Sequence, residues 1–436
     1  MIAQRSIVIV YLYSLLAVAL SAWFGVSVQG LLRLPVVNVR LIDVVILVNV
    51  VIAAATFWNY WIGGSRGMHN KLSPLQRIIV AYIAFESIQL IRTLGDIDVQ
   101  SQISYFIATL CLLIILNFTT QEVTPKVHDF ISWTSFLGAF ALIGMVGLQL
   151  IGLAKGFAYS GQWERVEFDV VAGKETISVS VIIPLVLIHS IIIRELDLSP
   201  VKRLVYRVAL ASLLINLVLA VHRGLLAVWV LVLFVYVPFS RKRSSASFSR
   251  TLISVAMVGM LTTFFLGDTL TSLGYDPILK VKETLGYTTD IDRPGWDKGR
   301  GFAQAAALSV WLDHVWLGVG YSELDKFVDV NIASHNGLVT SLFHRGIIGT
   351  ALLFSVFIVC YSKSIHLWKV SRSLPHGDRA INQSLVFVSW LWLIPFFTQE
   401  MLWERYSLSI QCIYFGIIVA LDEFYLQQRS NDTVLE

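Results

Sequence analysis

The chain has 436 residues, of which 56% are hydrophobic and only 14% charged, and its formal net charge is +4. A soluble domain carries about 25% charged residues, so an ordinary soluble fold is excluded, and no nucleic-acid partner is expected. The three cysteines, Cys111, Cys360 and Cys412, all lie in apolar runs and form neither a disulfide framework nor a zinc spacing.

Apolar runs of about 20 residues, long enough to cross a bilayer, recur from end to end. Helices are the spanning form that fits them, and the alternating ten-residue pattern of an outer-membrane barrel is absent. The sequence predicts an all-α, polytopic membrane bundle of twelve spans: 7–28, 41–62, 76–94, 102–120, 130–153, 176–194, 203–221, 224–239, 251–270, 336–362, 382–400 and 406–426. The first is read as a retained span, because no small-residue cleavage site follows it. Glu86, Gln89 and Arg92 interrupt the third, and the eighth is short.

Lys and Arg in the loops set the sidedness. "SRKRSSASFSR" (240–250), "KSIHLWKVSRSLPHGDR" (363–379) and "GGSRGMHNK" (63–71) belong in the cytoplasm, whereas the acidic "GDIDVQS" (95–101) belongs outside. Both termini are then cytoplasmic. The first outside loop, 29–40, dissents: Arg33 and Arg40 either snorkel at span ends or meet an anion. The organisation is a single integral-membrane domain, 1–436, with one large periplasmic insert at 271–335 and a second periplasmic loop at 154–175. Within the large insert, "GFAQAAALSVWLDHVWLGVG" (301–320) predicts a helix along the membrane surface. Its apolar stripe runs from Phe302 through Ala306, Val310 and Trp311 to Trp316.

Four features fall on the outer side. "VHRG" (221–224) joins two spans with almost no loop, so Arg223 either snorkels at a tight hairpin or meets an anion or cavity. "DIDRPGWDKGRG" (290–301) carries Arg293, Lys298 and Arg300 beside Trp296. Guanidinium forks suit phosphate oxygens and the indole offers an apolar face to a sugar, although a solvated mixed-charge loop reads the same way. "LDHVWLGVGY" (312–321) has Gly318 and Gly320 for a tight bend. "SHNGLVTSLFHRGIIG" (334–349) places His335 at the outer end of the tenth span, Asn336-Gly337 at a turn or helix start, and Gly346 and Gly349 on a small-residue packing face. His335 is either structural or, with its near-neutral pKa, a base or anion donor. Asp290 and Asp292 are weak evidence for a divalent ion. Glu400, Glu404 and Arg405 read best as a span-end ion cluster, and Glu86 and Arg92 as a pair across helical turns.

At these residues the sequence resembles the O-antigen ligase and O-antigen polymerase superfamily. The parts of that pattern read His222-Arg223-Gly224; then Gly299-Arg300 with Asp313-His314 and Gly318-Val319-Gly320; then His335-Asn336 with Gly346 and Gly349. The resemblance is dense over about 215–350, and it departs at His222 (often Ser), Gln304 (often Trp) and Val315 (usually Pro). It implies a GT-C-like glycosyltransferase on the outer face of the bacterial inner membrane, with an undecaprenyl-diphosphate-linked glycan as donor. The acceptor is a sugar of a second lipid-linked unit, for a polymerase, or of lipid A-core, for a ligase. A chain-length regulator is a further candidate partner, and no cofactor or metal is required.

On this reading Arg223 and Arg300 clamp the diphosphate with help from Arg293 and Trp296, Asn336 lines the site, and His335 takes or positions the acceptor proton. The rival class is a flippase or other transporter of lipid-linked glycan. Transporters commonly carry two halves with matching interrupted helices. No such halves appear here, and the polar chemistry is concentrated in one outer insert.

Overall fold

A computed structural model describes residues 41–62, 72–95, 99–119, 127–154, 199–220, 300–322, 324–328, 336–391, 393, 396 and 405–435. The described residues form ten α-helices and one short 3-10 turn, and no strand occurs among them. The helices are α1 (Leu41–Ile62), α2 (Pro74–Arg92), α3 (Val99–Leu110), α4 (Leu113–Thr119), α5 (Val127–Ala154), α6 (Pro200–Ala220), α7 (Arg300–Asp313), α8 (Gly337–Ser371), α9 (His376–Leu391) and α10 (Arg405–Leu435). Among the described residues, three helical segments are long and apolar enough to cross a membrane: Pro74–Arg92, Gly337–Ser371 and Leu408–Gln428. The expected spans 7–28, 176–194, 224–239 and 251–270 lie outside the described residues.

α1 coincides with the span expected at 41–62, and α8 runs well past the expected end at 362. The run 102–120 is two helices, not one. At Cys111-Leu112 the chain turns through short-range bonds, with Leu112 N–H donating to Thr109 and Ile114 N–H to Cys111. α2 starts sharply because Ser73 and Gln76 form a reciprocal capping box and Pro74 occupies the first turn.

The chain divides into two compact units. One comprises 1–11, 39–129 and 293–436, and the other 12–38 and 130–292. In the first, α10 forms the centre, with Cys412, Phe415, Ile418 and Val419 fully buried. It packs on α1, α4, α8 and α9. Gly416 lets α10 approach α4 so closely that a Cβ there would lie 2.4 Å from Phe118. Phe415 meets the rings of Tyr361 at 5.1 Å and Phe357 at 6.1 Å on α8. Buried polar groups find partners between helices: the Tyr361 hydroxyl and the Gln411 amide both donate to the Ser389 carbonyl at 3.2 Å. Towards the C-terminal end of α8, Lys363 reaches the buried Asp422 of α10 at 3.0 Å, and His366 contacts the same carboxylate. In the second unit, described through α5 and α6, the Lys202 ammonium lies 5.8 Å from the Trp133 ring.

Overfilling the α4–α10 contact should be costly, because a packed core resists added methylenes by about 1–3 kcal/mol. Gly416→Val is expected to lower the thermal aggregation midpoint of the detergent-solubilised protein, measured beside the unsubstituted chain.

Candidate functional site

The described part of the large insert begins with α7. Its residues Arg300–Asp313 include a run of alanines that favours a helix. The face it buries is Ala303, Ala306, Ala307 and Val310: Ala307 and Val310 pack with Val319 and with Val339 and Phe343 of α8, while Ala303 and Ala306 pack under Leu324 and Val328. Of the stripe expected from the sequence, Ala306 and Val310 lie on this buried face. Phe302 is 50% exposed, and Trp316, past the end of the helix, is 67% exposed. The small alanine side chains, not the large aromatics, set the inward face, because α7 lies close against α8.

After α7 the chain bends sharply. Gly318 and Gly320 both take left-handed backbone angles, φ 65° and 76°, as their spacing predicts. The bend is inserted into a break in α8. Gly346 has φ 61° and ψ −166°, a region essentially confined to glycine. In an unbroken helix the Ile347 and Ile348 amides would bond the Phe343 and His344 carbonyls. Here Ile347 N–H donates to Val315 at 2.8 Å and Ile348 N–H to Trp316 at 3.2 Å. The Phe343 and His344 carbonyls accept from Val319 and Gly320, each at 2.9 Å. Backbone meets backbone so closely that a Cβ on Gly318 would lie 2.5 Å from Gly346 N, and one on Gly346 would lie 2.4 Å from the Trp316 carbonyl. Of the two spaced glycines, Gly349 is the helix-packing residue, facing Phe85 of α2; Gly346 is the break.

α2 closes the other side of the bend. Gln89 Nε2 donates to the Leu317 carbonyl and Arg92 to the Gly318 carbonyl. Tyr321 N–H donates to Thr93 Oγ1 at 3.4 Å. Below this, Glu86 is buried with both oxygens engaged. Arg345 Nε donates to one and the Tyr321 hydroxyl to the other, at 2.7 Å. Glu86 and Arg345 are 1% and 3% exposed at the side chain, so removing either partner would leave a buried charge, a loss of about 3–5 kcal/mol. Burial, and then the Glu86 charge, pushes the Tyr321 phenol above its ordinary value, so it stays a proton donor. Tyr321 also stacks on Tyr105, with ring centroids 6.0 Å apart.

Glu86 thus pairs with Arg345 and not with Arg92, correcting the pairing expected within α2. Arg92, six positions on, was the nearest opposite charge in sequence, but that spacing does not face Glu86 on a helix and tertiary packing supplies a better partner. Arg345 is the residue that the sequence reading missed. Its signal was an arginine inside an apolar run with no acid within a helical turn, which requires a partner elsewhere.

Of the expected site residues, Asn336 caps α8: its side chain accepts from Leu338 N–H at 3.0 Å and Val339 N–H at 3.2 Å. Asn336 is therefore the helix cap. Arg300 opens α7. Arg223, Arg293, Trp296 and His335 lie outside the described residues, as do Asp290, Asp292, Glu400 and Glu404. The geometry brings together the helix that Arg300 begins and the helix that Asn336 begins, with the bend between them.

These features define a mostly helical membrane protein in which the segment after α7 is docked by backbone contacts onto a broken apolar helix. Residues 208–354, about a third of the chain, match the family model described as O-antigen ligase. Over that segment the chain is similar to the O-antigen ligase and polymerase superfamily, glycosyltransferase-like ligases and polymerases. No curated protein matches the chain.

Because the glycine contacts are backbone to backbone, Gly318→Ala and Gly346→Ala should each be poorly tolerated. A left-handed non-glycine residue alone costs about 1–2 kcal/mol, and the clash adds to it. Both are expected to reduce the monodisperse fraction in size-exclusion chromatography. Gly147→Ala, at a position with no atom within 4 Å of the new Cβ, should elute as the parent does.

Proposed function

We propose that the chain is a metal-independent inverting glycosyltransferase of the bacterial inner membrane, acting on the periplasmic face in surface-polysaccharide synthesis. It transfers a glycan from undecaprenyl diphosphate to a sugar hydroxyl. The acceptor oxygen attacks the anomeric carbon in line, the bond to the diphosphate breaks, and the lipid diphosphate leaves as an anion. Arg223 and Arg300 stabilise the charge that develops there, with Arg293 and Trp296 assisting. His335 accepts or positions the acceptor proton. In this reading the chain has twelve spans and both termini in the cytoplasm.

One observation carries the reading. The segment matching the family contains the bend and the helix break, and two of the motif glycines, Gly318 and Gly346, stand at their point of closest contact. The resemblance therefore corresponds to a built structure that positions α7 against α8. Since the leaving group is already a stable anion, preorganised cations suffice and a strong acid is unnecessary.

The preferred reaction is polymerisation, with the acceptor a second lipid-linked unit. Joining the glycan to lipid A-core is the second reading, favoured by the description of the matched family as a ligase. In a strain lacking the chain, persistence of single repeat units indicates a polymerase. Accumulation of long lipid-linked chains without attachment indicates a ligase.

Arg223→Ala is expected to reduce transfer on the order of 10²-fold at unchanged membrane abundance, read from product glycan on gels. Full-length glycan at parental levels would remove Arg223 from the mechanism. Transfer by the purified protein in detergent without any ion gradient is expected. Gradient-dependent movement of the lipid-linked glycan without transfer would favour a transporter.

A further inference from the structure

We infer that Glu86 of α2 is a positioning residue for glycan transfer, acting through Arg345 and Tyr321 on the bend that links α7 to α8. The inference rests on the proposed roles of Arg300 and His335.

The backbone of the bend is accounted for almost group by group. Gly318 N–H bonds back to His314 at 2.8 Å, and Val319 and Gly320 donate into α8. Val315 and Trp316 accept from α8. The next two carbonyls, Leu317 and Gly318, turn to α2 and accept from Gln89 and Arg92. Tyr321 N–H reaches Thr93, and the Gly320 carbonyl lies 2.6 Å from His344 Nδ1. A segment held this way between two helices is a strut. Its ends lead directly into the Arg300 helix on one side and towards the residues before Asn336 on the other.

What fixes the strut is concentrated on one face of α2. Glu86, Gln89 and Thr93 recur at helical spacing, are buried, and have contacts to the bend or to its anchor. Arg345 immediately precedes the break at Gly346, so its pairing with Glu86 fixes the break against α2. Tyr321 immediately follows the bend, and its hydroxyl ends on the same carboxylate. One buried carboxylate therefore ties together the break in α8 and the end of the inserted segment. Apolar packing could join α2 to α8, but it would not specify the register of a backbone segment between them.

The test uses the purified full-length chain in detergent and, as donor, the lipid-linked glycan pool extracted from a strain lacking this chain. In Glu86→Gln, hydrogen exchange in peptides covering 317–321 should accelerate about tenfold or more, while peptides of α10 remain unchanged. The transfer rate at saturating donor should fall about tenfold or more, with the donor concentration for half-maximal rate within about twofold of the parent. The Glu86→Arg/Arg345→Glu exchange should recover part of the rate. If Glu86→Gln does not reach the membrane, Tyr321→Phe, which removes one donor and keeps the ion pair, decides on the same two readouts. Unchanged exchange, or faster exchange with a parental transfer rate, overturns the assignment alone. A parent chain that transfers nothing overturns the transferase reading and this assignment with it.

Discussion

At the Gly346 break, two amides and two carbonyls have lost the partners that an unbroken α8 would give them, and a span has no water to offer in exchange. Away from water each unsatisfied group costs several kcal/mol, so a break in a helix apolar enough to cross a membrane requires protein to fill the gap. Here the filling is the short stretch after α7, whose carbonyls and amides take the places of the missing turn. Gly318 and Gly346 follow from this arrangement: the two backbones approach too closely for a side chain on either. The docking of the segment after α7 onto α8 depends on that exchange of bonds.

The same constraint explains why α2 is less apolar than its neighbours. A backbone segment inserted against a helix break presents carbonyls on its far side as well, and these also require donors. Gln89 and Arg92 supply them, and Thr93 receives the one amide that faces the other way. The Glu86–Arg345 pair is the costly part of this wall, since desolvating two charges is offset only when each is well paired. With the Tyr321 hydroxyl on the second oxygen, the carboxylate has a donor on each side.

Much of the architecture was legible in the sequence where one physical variable dominates. Apolar runs of bilayer length located α1, α2, α8 and α10, and the paired glycines announced a bend and a close helix contact. The sequence was harder to read where pairing is remote. Glu86 and Arg345 are 259 positions apart, and no local periodicity links them, so the nearer Arg92 looked like the partner. On α7 the expected stripe holds at Ala306 and Val310, which are buried, and fails at its aromatic ends, Phe302 and Trp316, which are exposed. The break at Cys111-Leu112 carries no glycine or proline to mark it. Of the candidate catalytic constellation, the cap at Asn336 and the start of α7 at Arg300 are placed, and the remaining members fall outside the described residues.

The strut has a consequence for how such a chain can diversify. The chain after the strut is tethered at Tyr321 and again at the Asn336 cap, and just past Tyr321 it is also held by Leu324 and Val328, which pack on α7, and by Phe327, which meets the rings of His314 and Phe343. Lengthening a tethered loop is cheap, about 0.6 kcal/mol for each doubling. An insertion between Val328 and His335 can therefore be accommodated while the helices flanking it keep their register.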